Sequence, residues 1–367
     1  MKILIVQDYL RVGGTERQSL FLARTFTAAG HGAEILTFRP GGHLNDAQHL
    51  GDIPVQVLQS FDTGLPLLAP GLMKRIKERA PDIILCMGRT ANCYAGFIQR
   101  RFPAIPVVAT LRTGKTLFPL HYWSLGVVRA VLVNSNWWKR RLLERNFPEE
   151  RIHVVHNAVL LERNLGEYRR ERARMRAEYR IGDQTCLFLN VATFRPGKRH
   201  LDLLRVFREM RDRHPDLDWR LWLVGDGKEY HRCKHWVAAN GLGTRVRFFH
   251  FQHDTLPFYA AADMAVSVSR EDSLPNFLIE AQASGLPVVA YDCRGVAETC
   301  IPGKTGVILP PGDSEGLLET LSGLIRDPVW RCDLASHAPE FARERFAPGP
   351  QAASILNFLE SLLNNPA

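Results

Sequence analysis

Short apolar runs rich in β-branched residues return thirteen times along this chain, and longer segments with helical spacing separate them. The first half holds KILIVQD, AEILTF, VQVLQ, DIILCM, VVATL, AVLVNS and IHVVHN; the second holds CLFLNVAT, WRLWLVGD, VRFFHF, MAVSVS, PVVAYD and GVILPP. A parallel strand can be entered only after a crossover, so strands alternating with helices specify parallel sheets wrapped by helices, an α/β class. The 367 residues exceed what one core usually serves, and two doubly wound domains are expected. The boundary is placed at 165/166, inside the charged stretch Glu162 to Asp183, which has no core-forming periodicity and reads as a linker. Open sheets of this kind bind ligands beyond the carboxyl ends of their strands, so two facing domains would leave a cleft lined by both.

Charge is unevenly spread. Residues 1–165 carry 21 Lys+Arg against 12 Asp+Glu, while the remainder balances 26 against 26, so the whole formal excess of +9 lies in the first half. From Ile83 to Leu143 there is no acidic residue, but Arg89, Arg100, Arg101, Arg112, Lys115, Arg129, Lys139, Arg140 and Arg141 are present. An anionic partner is favoured, and Trp137-Trp138 beside Lys139-Arg140-Arg141 suits an anionic membrane surface or a lipid-linked substrate. The alternative is a solvated basic face with core tryptophans. Nucleic acid is disfavoured because no binding motif accompanies the charge. No apolar stretch reaches the roughly 20 residues that span a bilayer, and MKILIV leads at once to Gln7 and Asp8, so a cytoplasmic enzyme, at most peripheral on the inner face of the plasma membrane, is expected. The seven cysteines form no Cys-x-x-Cys pair and read as reduced core residues.

The segment Ser273 to Tyr291, SLPNFLIEAQASGLPVVAY, contains a single charged side chain, Glu280. A carboxylate in such surroundings is expected to be shielded from water, at a cost a ligand could offset. Pro275 suits a helix's first turn and Gly285 its end; Asp272 stands just before, with seven residues between the two acids. One helix is therefore expected to carry both carboxylates beside an N-terminal anion site, a combination that describes a ligand with phosphate and hydroxyls. Gly13-Gly14 lies between the first strand and a helix that Thr15 could cap, where a ligand can approach the backbone; the plain alternative is a tight turn. Neither this pair nor Gly225-Asp226-Gly227 completes a dinucleotide fingerprint, which disfavours hydride transfer. His231, Cys233 and His235 have metal-ligand residue types, but positions two apart on a helix diverge, and a surface helix is the better account.

SREDSLPNFLIEAQASGLPVVAYDCRGVAETCIPGKTGVILPPGD resembles the donor-site block of retaining glycosyltransferases of the GT-B fold, family 4 (glycosyl transferases group 1). VGGTERQSLFLARTFTAAGHGAEILTF, VNSNWWKRRL, VVHNAV, VATFRPGKRHLDLLRVF and LVGDGKEYHRCKHWVAANGL follow the family in order, so the resemblance covers nearly the whole chain. It implies two facing Rossmann-like domains with an interdomain cleft: an acceptor domain over 1–165, a donor domain over 166–345, and a helix over 346–367 returning to the first domain. In the family's Glu-x7-Glu pair, Glu280 matches the acid that holds the nucleotide ribose. The first position falls on Asp272, with Glu271 beside it as a possible substitute. Ser273 and the backbone amides of Leu274, Asn276 and Phe277 would cradle the diphosphate. Lys198 matches the family's lysine; the family's arginine position holds Thr193, and Arg195 is the substitute.

The resemblance places Gly13 and Gly14 near diphosphate and acceptor, and His250 at the loop that meets the base. Where many relatives carry a histidine after the fifth strand, this chain has Arg112, which would bind an anionic group of the acceptor or hold a loop. No cofactor or metal is implied; the donor is a UDP- or GDP-linked sugar and the acceptor a glycan or lipid-linked hydroxyl in lipopolysaccharide, exopolysaccharide or capsule assembly. A sugar-nucleotide epimerase, a disaccharide phosphorylase and a non-catalytic sugar-nucleotide-binding partner are the alternatives, the last motivated by Asp272 and Thr193.

Overall fold

A computed structural model describes residues 1–10, 13–45, 50–159 and 164–364. The chain divides into two compact units, Met1–Ala158 with Pro348–Ala367, and Val159–Ala347.

Seven strands form the sheet of the first unit: β1 Lys2–Gln7, β2 Gly32–Thr37, β3 Val55–Val57, β4 Ile83–Met87, β5 Val107–Leu111, β6 Ala130–Val133 and β7 Ile152–Val154. All pair in parallel, in the order β3-β2-β1-β4-β5-β6-β7. The strands read as continuous apolar runs because both faces are covered. Leu4, Val6, Ile84, Cys86, Ala109 and Val133 pack into one core layer, while Ile3, Ile5, Leu85, Val108 and Leu132 pack into the other. The helix Pro348–Asn364 belongs to this unit: it buries Ile355 and Leu359 in the layer of Ile3, Ile5 and Phe26, bringing the chain end back to the first sheet as expected.

Six strands form the second sheet: β8 Cys186–Val191, β9 Trp219–Val224, β10 Val246–Phe249, β11 Met264–Ser267, β12 Val288–Tyr291 and β13 Gly306–Leu309. The order β10-β9-β8-β11-β12-β13, again all parallel, repeats the doubly wound plan. Phe188, Leu221, Leu223, Val266 and Val289 face one core, and Leu187, Leu189, Trp222, Val224, Ala265 and Val288 the other. In each sheet the winding direction reverses once, between β1 and β4 and between β8 and β11, and such reversals open a crevice at the strands' carboxyl ends.

Three sequence expectations change. Of the presumed linker, residues 162 and 163 lie outside the described residues, but Leu165–Glu178 is a helix. Its polar pattern hides a docking surface made of arginines. Arg172 donates to the carbonyls of Ala260, Ala261 and Ala262, and Arg176 to those of Ala261, Gly182 and Thr185; both also pair with Asp263. Trp138 is not interfacial: it is 2% exposed, with its indole N–H donating to Thr113 O, and Trp137 packs edge-on against it. Among the cysteines, Cys332 is exposed and Cys293 half-buried; the other five are buried.

Candidate active site

The loops after β8 and β11 leave the second sheet at its reversal point, and backbone contacts join them. The Arg270 N–H and the Ser269 hydroxyl both donate to Gly197 O, at 2.9 and 3.3 Å. The fit is close: a Cβ on residue 197 would lie 2.3 Å from Glu271 Cδ, so that side chain would have to swing aside. The β8 loop is also clamped from behind. Gly225 and Gly227, with φ of +140° and +150°, bring their backbone so near Ala192 O and Phe194 O that a Cβ would sit 2.3 Å from either. Phe194 N–H donates to Asp226 O and Glu229 N–H to Phe194 O. The Gly-Asp-Gly segment is thus a support for the loop. The Phe194 ring is fully buried and stacks on His200 at 4.1 Å, so the short turn Pro196–Lys198 is anchored on both sides.

On this frame Lys198 Nζ donates to both carboxylate oxygens of Asp272, each at 2.7 Å. Arg195 Nη1 lies 3.6 Å from Glu271 Oε2. Asp272 is 8% exposed, and such burial alone would raise its pKa. The charge and hydrogen bonds of Lys198 outweigh that, aided by Ser269 and Arg195, and hold the carboxyl below its usual range. His200, next in the chain, is driven down to about 3 by burial and by the Lys198 charge, and remains a neutral core ring.

The following helix, Asn276–Ala283, begins one residue later than the sequence suggests, with Pro275 in the capping position and extended backbone. Asp272 therefore precedes the helix in its N-terminal loop, and only Glu280 is carried on it. Glu280 is half-buried, not shielded, because it stands at the helix edge and accepts the Tyr259 hydroxyl at 2.7 Å. Asp272 is the sequestered acid. Leu274 packs with Ile279, Ala342 and Phe346, which ties the loop to the core, and Ser273 and Phe277 are also buried. The positive end of the helix dipole, at Asn276, follows directly on this cluster in the chain.

His250 is largely exposed at the end of β10; its Nδ1 lies 2.5 Å from Asp226 Oδ1, and its ring stacks on Tyr230 at 4.6 Å. The remaining candidates belong to the first unit. Gly13 caps the helix Gly14–Ala28 without a side-chain bond, and Thr15 lies inside that helix with its carbonyl accepting from Ser19, so it does not cap. Arg112 follows β5, with Nη1 donating to Asn157 Oδ1 at 2.8 Å; Lys115 is exposed nearby in the chain. Sequence reasoning missed Tyr259 and Asp226. Tyr259, in PFYAAADMAVS, looks like an ordinary core aromatic, and Asp226 was hidden in a glycine motif judged incomplete.

Two family models match this chain: Glycosyltransferase Family 4 over residues 12–163 and Glycosyl transferases group 1 over residues 185–327. The chain belongs to the family 4 glycosyltransferases, group 1. Anabaena HepE, crystallised in complex with UDP, superposes with a TM-score of 0.83 at 23% identity, covering 99% of this chain and 100% of that one. The apo form of the lipopolysaccharide outer core galactosyltransferase WaaB superposes at 0.72 with 20% identity, covering 98% and 99%. These likenesses identify the GT-B fold. The lipopolysaccharide core biosynthesis glycosyltransferase LpsE of Rhizobium meliloti is 35% identical over 129 residues, 34% of this chain and 38% of the relative. N-acetyl-alpha-D-glucosaminyl L-malate synthase of Bacillus anthracis is 27% identical over 199 residues, 54% of this chain and 51% of the relative. This family 4 chain thus spans about half or less of the length of these curated relatives.

Proposed function

We propose that this chain is a retaining glycosyltransferase that moves a hexosyl group from a nucleotide-diphosphate sugar to a hydroxyl of a glycan or glycolipid in lipopolysaccharide or exopolysaccharide assembly. One observation carries the reading: a doubly bonded Lys198–Asp272 pair stands at the reversal point of a doubly wound sheet, and Glu280 follows on the next helix. Lys198, Arg195 and the helix start supply positive charge where a departing diphosphate needs it. Asp272, with Glu271 beside it, supplies acceptors for sugar hydroxyls, and Glu280 supplies one for the ribose. The anomeric C–O bond breaks with its electron pair leaving on the diphosphate. The acceptor oxygen bonds to the same face of the anomeric carbon, and its proton passes to the departing phosphate oxygen. No side-chain nucleophile enters.

UDP is the first nucleotide to test, given the UDP-bound structural neighbour, and GDP the second. The donor binds the second unit in this reading, the acceptor the first, and Gly13-Gly14 marks the acceptor side. Peripheral contact with an anionic inner membrane face is part of the proposal. Exposed Phe61, Leu65, Phe97 and Phe118 on the first unit support it, with Arg89 stacked over Phe118 and Arg100 over Trp123. Among the described residues no helix is long and apolar enough to cross a membrane. The test is a panel of UDP- and GDP-sugars followed by melting shift, nucleotide release and the anomeric configuration of the product. Failure of every nucleotide sugar to raise the melting temperature, or an inverted product, would refute the reading.

A further inference from the structure

The carboxyl ends of β5, β6 and β7 bring together three polar side chains that the donor chemistry leaves unused: Arg112, Asn134 and Asn157. Asn134 and Asn157 are buried. Asn157 Oδ1 accepts Arg112 Nη1 at 2.8 Å and Asn134 Nδ2 at 3.4 Å, and Asn134 Nδ2 also lies 3.3 Å from Arg112 O. The guanidinium is thereby held by one nitrogen and by a neutral oxygen. Its Nε is sealed from solvent without a hydrogen-bond partner, and no carboxylate among the described residues acts on its charge.

Arginines that serve structure in this chain are treated differently. Arg151 donates to the carbonyls of Leu125, Gly126 and Val128. Arg176 also leaves its Nε unbonded, yet Asp263 and three carbonyls meet its charge. Arg112 is half-buried without such compensation among the described residues, and the burial lowers its pKa to about 10. A cation kept in that state costs stability unless a ligand completes it. Nε lies out of a ligand's reach and Nη1 is taken by Asn157, so Nη2 is the nitrogen left to give an oxyanion a charge-assisted hydrogen bond. The place is also right, since ligands gather beyond the carboxyl ends of a parallel sheet.

We propose that Arg112 is the recognition site for an oxyanion, phosphoryl or carboxylate, carried by the acceptor substrate and bound through Nη2–H. Only the word acceptor rests on the glycosyltransferase reading; anion binding by Arg112 does not. The full chain, with arginine side chains labelled by nitrogen-15, is titrated with phenyl phosphate in one arm and benzoate in the other. The Arg112 Nε–H signal is assigned by its absence from R112K. At least one probe is expected to shift that signal, and R112Q is expected to bind the same probe about tenfold more weakly or worse. R112M should melt at or above the wild-type temperature, because an uncompensated cation has been removed. No shift with either probe, equal binding by R112Q, or a marked drop in melting temperature in both R112M and R112Q would overturn the proposal. UDP and GDP are titrated in parallel: if both fail while a probe still moves the Arg112 signal, the donor reading falls and this one stands.

Discussion

Replacing Lys198 with methionine should reveal how the proposed donor site holds its charge. The substitution removes the lysine bonded to Asp272 and leaves a carboxylate that is 8% exposed. Breaking a buried pair at one end costs about 3–5 kcal/mol. Asp272 can escape by taking up a proton, and that route caps the cost. Holding a proton at pH 7 on a group of ordinary pKa near 3.9 costs about 4 kcal/mol, and at pH 5 about 1.5 kcal/mol. The sign follows from linkage. In the wild type the lowered pKa of Asp272 stabilises the fold above the unfolded value and is lost only as pH falls through the folded one. In K198M burial raises the carboxyl, so the folded state binds a proton the unfolded chain does not, and the variant recovers relative to wild type as pH falls from 7 to 5. Urea unfolding of wild type, K198M, D272N and K198M/D272N at both pH values measures this. The expected defect of K198M shrinks by about 2 kcal/mol or more between pH 7 and 5, and the double variant is more stable than K198M at pH 7. A pH-independent defect, or one below about 1 kcal/mol, would show an ordinary surface pair and refute the reasoning. Turnover is a separate readout: the loss of about two to three powers of ten expected from removing a leaving-group contact should persist in the double variant.

Glu280→Gln should weaken nucleotide binding by about tenfold to a hundredfold, the value of one hydrogen bond to a charged group, while Tyr259→Phe costs less; calorimetric titration with UDP and GDP checks both. His200, held at about 3 against an ordinary 6.5, is neutral when folded, so the unfolded chain binds the proton first. Its contribution is fully present above about pH 6.5 and declines by about 1.4 kcal/mol per pH unit below it, giving a loss of about 2 kcal/mol from pH 7 to 5 that His200→Phe removes in urea unfolding. Gly227→Ala should destabilise the second unit and depress turnover together, because the new Cβ would meet Phe194 O and push the loop that carries Arg195 and Lys198; unaltered kcat in a well-folded variant would contradict the clamp.

The strands were legible because burial on both faces leaves a mark no surface element shares: runs such as IILCM and CLFL are apolar without alternation. The helix Leu165–Glu178 was not legible, since periodicity finds only elements that dock through apolar stripes. This one docks through Arg172 and Arg176, whose guanidinium groups meet the carbonyls that end the helix Leu256–Ala261. The same blind spot affected the tryptophans. Trp137-Trp138 beside three cations reads as an interfacial belt, yet the helix Asn136–Leu143 turns Trp138 inward, and exposed aromatics stand elsewhere, at Phe61, Phe97 and Phe118.

The two acids of the donor block show where sequence distance misleads about environment. Glu280 is surrounded in sequence by apolar residues, but its neighbours in the chain point elsewhere on the helix, and it emerges at the edge beside Tyr259. Asp272 has Glu271, Arg270 and Ser269 before it in sequence, a hydrophilic context, yet it is the buried group. The two loops are joined at Gly197, whose carbonyl accepts from Arg270 and Ser269 and whose missing Cβ leaves room for Glu271, and the joined loops hold Asp272 against Lys198. If that junction buries the acid, Gly197→Ala should displace the Glu271 side chain, loosen the joined loops and let water reach Asp272. The Lys198–Asp272 coupling from the double-mutant cycle would then fall toward the roughly 0–1 kcal/mol of an exposed pair. A coupling unchanged in the Gly197→Ala background would mean that burial of Asp272 has another source.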